Sequence, residues 1–234
     1  MSEPLFRDAP YRRETEATVG AVDERGIVLD RTVFYPRGGG QAGDAGVLET
    51  ADGRAIAIVD TVKGDGAAIV HVPPPGQELP APGTAVTARI DWERRHRHMR
   101  FHTATHLLCA IVPHPTNGCS ITADYARLDF DMVEPLDRAR LEAELARLVA
   151  EAHDVRTVWI TDEELDARPE LVRTMSVKPP RGMGRVRLLQ IAGVDLQACG
   201  GTHVANTREI GALRVAKIEK KSARSRRVVL EFAG

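Results

Sequence analysis

The 234-residue sequence predicts an α+β protein in two parts, a small β-barrel over residues 1–90 and an α+β domain over residues 91–234. Three observations support this. Residues 14–91 hold short β-branched or alternating runs, broken by glycines and by the pairs Asp52-Gly53 and Asp65-Gly66, which is the spacing of a small barrel. One long helical segment follows at once, from Trp92 to Val112. Beyond it the order β-α-β-(α)-β-β-β suits a single antiparallel or mixed sheet.

The first part offers strands at Ala17 to Val22, Ile27 to Leu29, Thr32 to Tyr35, Ala55 to Thr61 and Ala67 to Val72. The run from Pro73 to Gly83 has too much proline for regular structure, and Thr84 to Ile90 reads as one further strand. Asp91 is a good N-cap for the helix, which stops before Pro113. Trp92, Met99, Leu107, Leu108 and Ile111 supply its apolar side. Paired strands follow in Ile121 to Asp131. Pro135 opens a helix from Leu136 to His153, with Leu141, Leu145, Leu148 and Val149 at helical spacing. Val155 to Ile160 is a strand, and Leu165 to Leu171 a short helix. Arg185 to Ile191, Glu209 to Ile218 and Arg226 to Phe232 are strands.

Hydrophobic residues make up 43% of the chain, enough for a buried core, and the net charge of −1 argues against a surface that is basic throughout. The charge is uneven. Residues 1–90 hold 9 Lys+Arg against 13 Asp+Glu, and residues 91–234 hold 23 against 20. Two basic runs stand out, Arg94 to Arg100 and residues 214–227. Three cysteines, Cys109, Cys119 and Cys199, do not make a disulfide framework and point to a reducing compartment. No apolar run approaches the length of a membrane span, and the N-terminus lacks the apolar core of a secretion signal, so a cytoplasmic protein without membrane contact is expected.

The chemistry concentrates in two pairs. His102 and His106 lie four apart on the long helix and so share one face. Cys199 and His203 lie four apart in Cys199-Gly200-Gly201-Thr202-His203, where the glycines allow a tight bend or a close approach. Three imidazoles and a thiolate form a donor set suited to one tetrahedral Zn²⁺. Thr103, not glutamate, follows His102, so the zinc-protease helix motif is absent. Cys109 reads as a small buried hydrophobe. His96, His98, His114 and His153 read as surface or basic-patch residues, and His71, at a strand end, has no assigned role. The stretch Arg37-Gly38-Gly39-Gly40-Gln41 lacks the signature of a P-loop; it is either a wide turn or a backbone that meets substrate.

In these motifs the chain resembles the alanyl-tRNA editing proteins of the AlaX type and the editing domain of alanyl-tRNA synthetase. The resemblance runs over nearly the whole chain. It is carried by Phe34 to Gln41, His102-Thr103-Ala104-Thr105-His106-Leu107-Leu108, Ala126 to Asp131, and Cys199 to Val204 followed by Ile210-Gly211. The glycine-rich N-terminal part is similar to the longer AlaX forms. The resemblance implies a β-barrel followed by a two-layer α+β editing domain shared with threonyl-tRNA synthetase. It implies hydrolysis of Ser-tRNA(Ala), with Gly-tRNA(Ala) as a second substrate, on a tRNA charged elsewhere; no obligatory protein partner is evident in the sequence. His102, His106, Cys199 and His203 match the zinc ligands. Thr105 falls in the first matched motif, and Thr116 and Asn117 fall where the serine-recognising loop runs.

Such an enzyme must sense the serine hydroxyl in order to spare alanine, and a site that hydrogen-bonds a substrate hydroxyl can discriminate by about 10⁴–10⁵. Thr105 and Thr116 are the candidate partners, with Asn117, Gly200 and Gly201 beside them. Zinc in this setting activates water, polarises the ester carbonyl or positions the amino acid. The tRNA backbone is assigned to Arg37, Gly38, Gly39, Gly40 and Gln41, to Arg95, and to Lys217, Lys220, Lys221, Arg224, Arg226 and Arg227; such contacts are blind to sequence and weaken with salt. The residues alone also allow a non-catalytic zinc-stabilised RNA-binding module, a hydrolase of other small esters, or an editing enzyme for a different aminoacyl-tRNA.

Overall fold

The computed structural model describes residues 2–172 and 184–233. The chain forms two compact units, Met1–His96 and Arg97–Gly234.

The first unit contains β1 (Glu3–Pro4), β2 (Glu14–Asp23), β3 (Gly26–Leu29), β4 (Arg31–Thr32), β5 (Gly46–Thr50), β6 (Ala55–Ile58), β7 (Asp60–Lys63), β8 (Ile69–Val72) and β9 (Ala85–Ile90). Seven of these strands make one antiparallel sheet in the order β6-β5-β9-β2-β3-β8-β7. The expected barrel is corrected here: among the described residues no pairing joins β6 to β7, so the sheet does not close. Short alternating strands show that one sheet face is buried, not whether the two edges meet. β2 turns alternate side chains inward, and Ala17, Val19, Ile27, Leu29, Leu48, Ile56, Val86 and Ala88 pack into one core with Val33 and Phe34. The expected strand from Thr32 to Tyr35 is mostly loop. Tyr35 N–H donates to the Asp44 carboxylate at 2.6 Å, and Phe34 N–H to Thr32 Oγ1 at 3.0 Å, so side chains take the place of a ladder.

Two buried polar residues organise this unit. Arg95 is 0% exposed. Its Nε donates to Asp44 Oδ1 and Oδ2 at 3.0 and 2.9 Å, and its other nitrogens to Val33 O at 2.6 Å and Pro10 O at 3.1 Å. His71, also 0% exposed, is not idle as the sequence suggested. Its Nδ1 bonds Ile27 O at 2.9 Å and must be the donor, because a carbonyl only accepts. Nε2 then accepts from Thr32 Oγ1 at 2.8 Å. Burial outweighs the pull of the Ile27 carbonyl and the Asp44 charge and lowers the His71 pKa to about 4.

The helix α1 (Trp92–Ile111) begins where Asp91 Oδ1 accepts from Arg94 N–H at 3.1 Å. The division between the units falls inside it. The second unit continues with β10 (Thr116–Ile121), β11 (Ala126–Asp131), α2 (Arg138–Ala150), β12 (Val155–Ile160), α3 (Asp162–Asp166), β13 (Val186–Ile191), β14 (Asp195–Ala198), β15 (Leu213–Ser222) and β16 (Ser225–Phe232). α2 starts later than Pro135 suggested, because Asp137 is the cap that accepts from Arg140 N–H at 3.1 Å. The strands form two antiparallel sheets, β10-β11-β16-β15 and β12-β13-β14, where the sequence suggested one. Met99, Phe101, Ala104, Leu107 and Leu108 of α1 are buried, as are Leu128, Phe130, Val228 and Leu230 of the larger sheet. No helix among the described residues is long and apolar enough to cross a membrane.

Candidate metal centre

α1 has 3.6 residues per turn, so His102 and His106 stack on one side of it. The other pair comes from the end of β14. Asp195, Gln197 and Cys199 alternate along the strand direction and so share one face. After Cys199 the chain bends through Gly200 and Gly201 and returns His203 to the same place. The donor atoms of His102, His106, Cys199 and His203 lie within 4.8 Å of one another. Cys199 Sγ is 3.5 Å from His102 Nε2 and 3.2 Å from His203 Nε2. In tetrahedral zinc with ordinary bond lengths a sulfur and a nitrogen ligand stand about 3.5 Å apart. The donor set fits that ion.

The imidazoles are aimed from outside. His106 Nδ1 bonds the buried Asp195 carboxylate at 2.8 Å, which leaves Nε2 for the centre. Gln197 Nε2 donates to both Asp195 oxygens at 2.9 Å. His203 is held by Thr103. That hydroxyl has one proton and gives it to Met99 O at 2.9 Å, so it accepts from His203 Nδ1 at 3.2 Å and leaves Nε2 for the centre. The bracing is reciprocal: a strand residue aims a helix ligand, and a helix residue aims the loop ligand. Arg187, 8% exposed, grips the loop itself, with Nη1 donating to Cys199 O and Gly201 O, both at 2.9 Å. Gly201 N–H points at Cys199 Sγ, 3.5 Å away.

Electrostatics favour ligation by Cys199 and His203 and oppose it at His106, which has to give up a proton to bind. Burial opposes ionisation of the Cys199 thiol, but the charges of His102 and His203 outweigh it and hold the thiol well below its usual range. His203 is driven well below an ordinary imidazole by burial and by the charge of His102. For His106, burial opposes the charged form, yet the Asp195 bond wins and the value rises to about 9.

The expected substrate residues are placed as follows. Thr105 is buried, and its hydroxyl donates to His102 O at 2.7 Å, within the helix. Thr116 is buried at the start of β10, and Asn117 is the exposed extra residue of a β-bulge there, since Thr116 pairs with Phe130 and Gly118 with Asp129. A Cβ at Gly118 would stand 2.8 Å from Asp129 Oδ2, so any larger residue there has to push that carboxylate, which holds Arg227. The neighbouring Cys119 thiol is pushed up to about 12 by burial and by the charge of Cys199. Gly200 is exposed, and a Cβ there would meet open space. Cys109 is buried, as expected. An open cavity of about 800 Å³, lined by Pro113, Pro115, Arg168, Leu171, Gln190 and Asp195 among others, touches none of the four donor residues and meets the centre only through Asp195.

Several assigned RNA contacts are corrected. Arg95 is spent on Asp44, Val33 and Pro10 and has no exposed surface for a phosphate. Gln41 is likewise 0% exposed and closes a turn with Gly38, leaving Arg37, Gly39 and Gly40 at the surface. Positive φ at Gly39 and Gly40 makes that turn. Arg37 pairs with Asp60. His98 is fully buried, not a surface residue. Arg97 and Arg100 lie over the Phe232 ring, at 4.9 and 3.8 Å from its centroid. In the second basic run, Arg226 is buried and donates to the carbonyls of Ser222, Ser225 and Val133, and Arg227 grips Asp129 at 2.7 and 2.8 Å. Lys217, Lys220, Lys221 and Arg224 remain exposed on the β15–β16 hairpin, with Lys217 beside Glu219 and Arg224 beside Asp131.

Comparison with known proteins agrees with the site. Residues 6–94 match the family of class II (A) tRNA synthetases, and residues 186–229 match the threonyl and alanyl tRNA synthetase second additional domain. The alanyl-tRNA editing protein AlaX-M of Methanosarcina mazei is 36% identical over 97% of this chain and 95% of its own length. The chain belongs to the AlaX alanyl-tRNA editing family. AlaX-L of Pyrococcus horikoshii is 34% identical over 95% of the chain and 56% of its own length. The alanine–tRNA ligase of Pyrococcus furiosus is 36% identical over 92% of the chain but only 24% of the ligase. The AlaX homology thus covers both halves of the sequence, including the helix and the loop that carry the four donors.

Proposed function

We propose that this chain deacylates mischarged Ser-tRNA(Ala), with Gly-tRNA(Ala) as a second substrate, at a zinc ion held by His102, His106, Cys199 and His203. AlaX editing proteins are deacylating hydrolases of mischarged tRNA, and this chain is one of them. The observation that carries the finer reading is the convergence of three imidazole nitrogens and one thiol within 4.8 Å, on a ligand spacing that suits zinc.

Zinc bound there supplies a Lewis acid next to the scissile ester. The chain's own groups supply the rest. Residues 91–234 form the editing domain in this reading, and residues 1–90 the glycine-motif domain. The Arg187 grip fixes the peptide planes of the Cys199–Gly201 bend, so that the exposed Gly200 faces an approaching substrate without a side chain in the way. Thr116 and Asn117, beside the β10 bulge, offer hydroxyl and amide groups to the serine side chain, and Thr105 offers the remaining lone pairs of its hydroxyl. Lys217, Lys220, Lys221, Arg224 and the Arg37 turn offer cations and backbone N–H groups to phosphates.

The test is deacylation of separately charged Ser-tRNA(Ala), Gly-tRNA(Ala) and Ala-tRNA(Ala) by the purified protein. Rapid release of serine with alanine retained is the expected result. Binding of all three without hydrolysis of any would replace the enzyme with an RNA-binding module.

A further inference from the structure

The reactive ester lies on the last ribose of a single strand, so the unpaired base beside it needs a seat near the centre. Trp159 is an exposed aromatic ring on the sheet that carries Cys199. It keeps 38% of its surface exposed on β12, an edge strand of the β12-β13-β14 sheet. β12 pairs with β13 so that Thr157 opposes Leu189 and Trp159 opposes Arg187. Side chains alternate, so Thr157, Trp159 and Arg187 share a face. That face is the one the metal donors use: Arg187 Nη2 donates to Thr157 Oγ1 at 3.0 Å, while Nη1 holds Cys199 O and Gly201 O. Trp159, Arg187 and Cys199 therefore form one row across the sheet. At a strand spacing of about 4.8 Å, Trp159 starts roughly 10 Å from the Cys199 backbone.

The ring is also dressed for an anionic, aromatic partner. The exposed Arg185 guanidinium stands over it, 5.1 Å from the centroid. An exposed indole ring beside a guanidinium is the combination that holds single-stranded nucleic acid, the ring stacking on a base and the cation meeting the phosphate. We propose that Trp159 and Arg185 form the seat for an unpaired base at the 3′ end of the RNA substrate, which brings the adjoining ribose ester to the metal centre. Stacking reads no sequence, so this seat fixes distance and orientation while the side-chain pocket provides selectivity. The inference rests on the aminoacyl-tRNA reading above.

The sequence has two tryptophans, Trp92 and Trp159, so a Trp92→Phe protein reports on Trp159 alone. Titrating it with a short uncharged RNA ending in CCA should quench the emission. The same RNA with abasic terminal positions should quench far less. In steady-state deacylation, Trp159→Ala should raise KM by roughly 5- to 100-fold, and Trp159→Phe, which keeps a ring, should recover most of the loss. Zinc content and melting temperature should match the parent in both variants. Unquenched emission together with an unchanged KM in Trp159→Ala would overturn the seat. If the wild-type protein hydrolyses no charged tRNA, the functional reading fails, and the quenching comparison still decides whether the seat exists.

Discussion

Replacing Asp195 tests whether the centre is held by its supports or only by its ligands. The Asp195 carboxylate is fully buried, accepts from His106 Nδ1 at 2.8 Å, and receives Gln197 Nε2 on both oxygens at 2.9 Å. Asp195→Ala removes the carboxylate charge that anchors this chain of bonds and leaves two buried donors without an acceptor, at about 1–3 kcal/mol each. His106 is then free to rotate or to change tautomer. Loss of such a support weakens metal binding by about 10–100-fold, or roughly 1.4–2.7 kcal/mol. Asp195→Asn keeps an acceptor for Nδ1–H but turns amide donors against Gln197, and should fall near the lower limit. The assay is competition for zinc against a chromophoric chelator at pH 7.5, with the cobalt(II) spectrum as a second readout of ligand geometry. Circular dichroism of the metal-free variants should remain that of the parent. If Asp195→Ala retains zinc within threefold of the wild-type protein and gives the same cobalt spectrum, the bracing argument is wrong.

Other expectations follow from the same geometry. Arg95→Met leaves the Asp44 carboxylate buried without its partner and should cost about 3–5 kcal/mol in urea unfolding, while the salt dependence of tRNA binding stays unchanged. A fall in tRNA affinity beyond the unfolded fraction would restore Arg95 as a phosphate contact. His71 titrates near 4 when folded and near 6.5 when unfolded, so between these values the unfolded chain binds a proton that the folded one does not. Stability should therefore fall as pH drops from about 6.5 to 4, by roughly 3 kcal/mol, and His71→Gln should flatten that slope; equal slopes in both proteins would contradict this. Thr116→Val should erode the preference for Ser-tRNA(Ala) over Ala-tRNA(Ala) by at least tenfold, and Thr105→Val by less, because the Thr105 hydroxyl proton is already committed to His102 O. Parallel deacylation time courses give the ratio directly, and an unchanged ratio in both variants removes these threonines from the pocket.

The ligands themselves were legible in the sequence because both pairs have a local period: four residues along a helix, and four across a glycine bend. Their supports were not. Asp195 and Thr103 act on ligands 89 and 100 residues away, and no local pattern announces such a pairing. The strand alternation Asp195-x-Gln197-x-Cys199 was the available signal, but the segment lies in a four-residue strand too short to stand out. β5 (Gly46–Thr50) was missed for a similar reason, since glycines on its approach disguise a central strand. Gly46 is there because a Cβ would stand 2.2 Å from Arg89 O. The charge runs misled most. Arg95 and Arg226 look like neighbours of solvated arginines in sequence, yet strand and helix periodicity turns both inward, where carbonyls and one carboxylate take up their donors. Sheet closure was beyond reach because it depends on whether two edges meet, and edge strands carry the same alternation as paired ones.

The most direct test of the whole account is to remove and restore the metal. Protein carrying zinc, protein stripped by chelator, and stripped protein given back one equivalent of zinc should be compared on Ser-tRNA(Ala), with zinc measured in each sample. The account predicts serine release by the first, loss of it in the second while the fold persists, and recovery in the third at one zinc per chain. Full activity in the verified metal-free protein would contradict it.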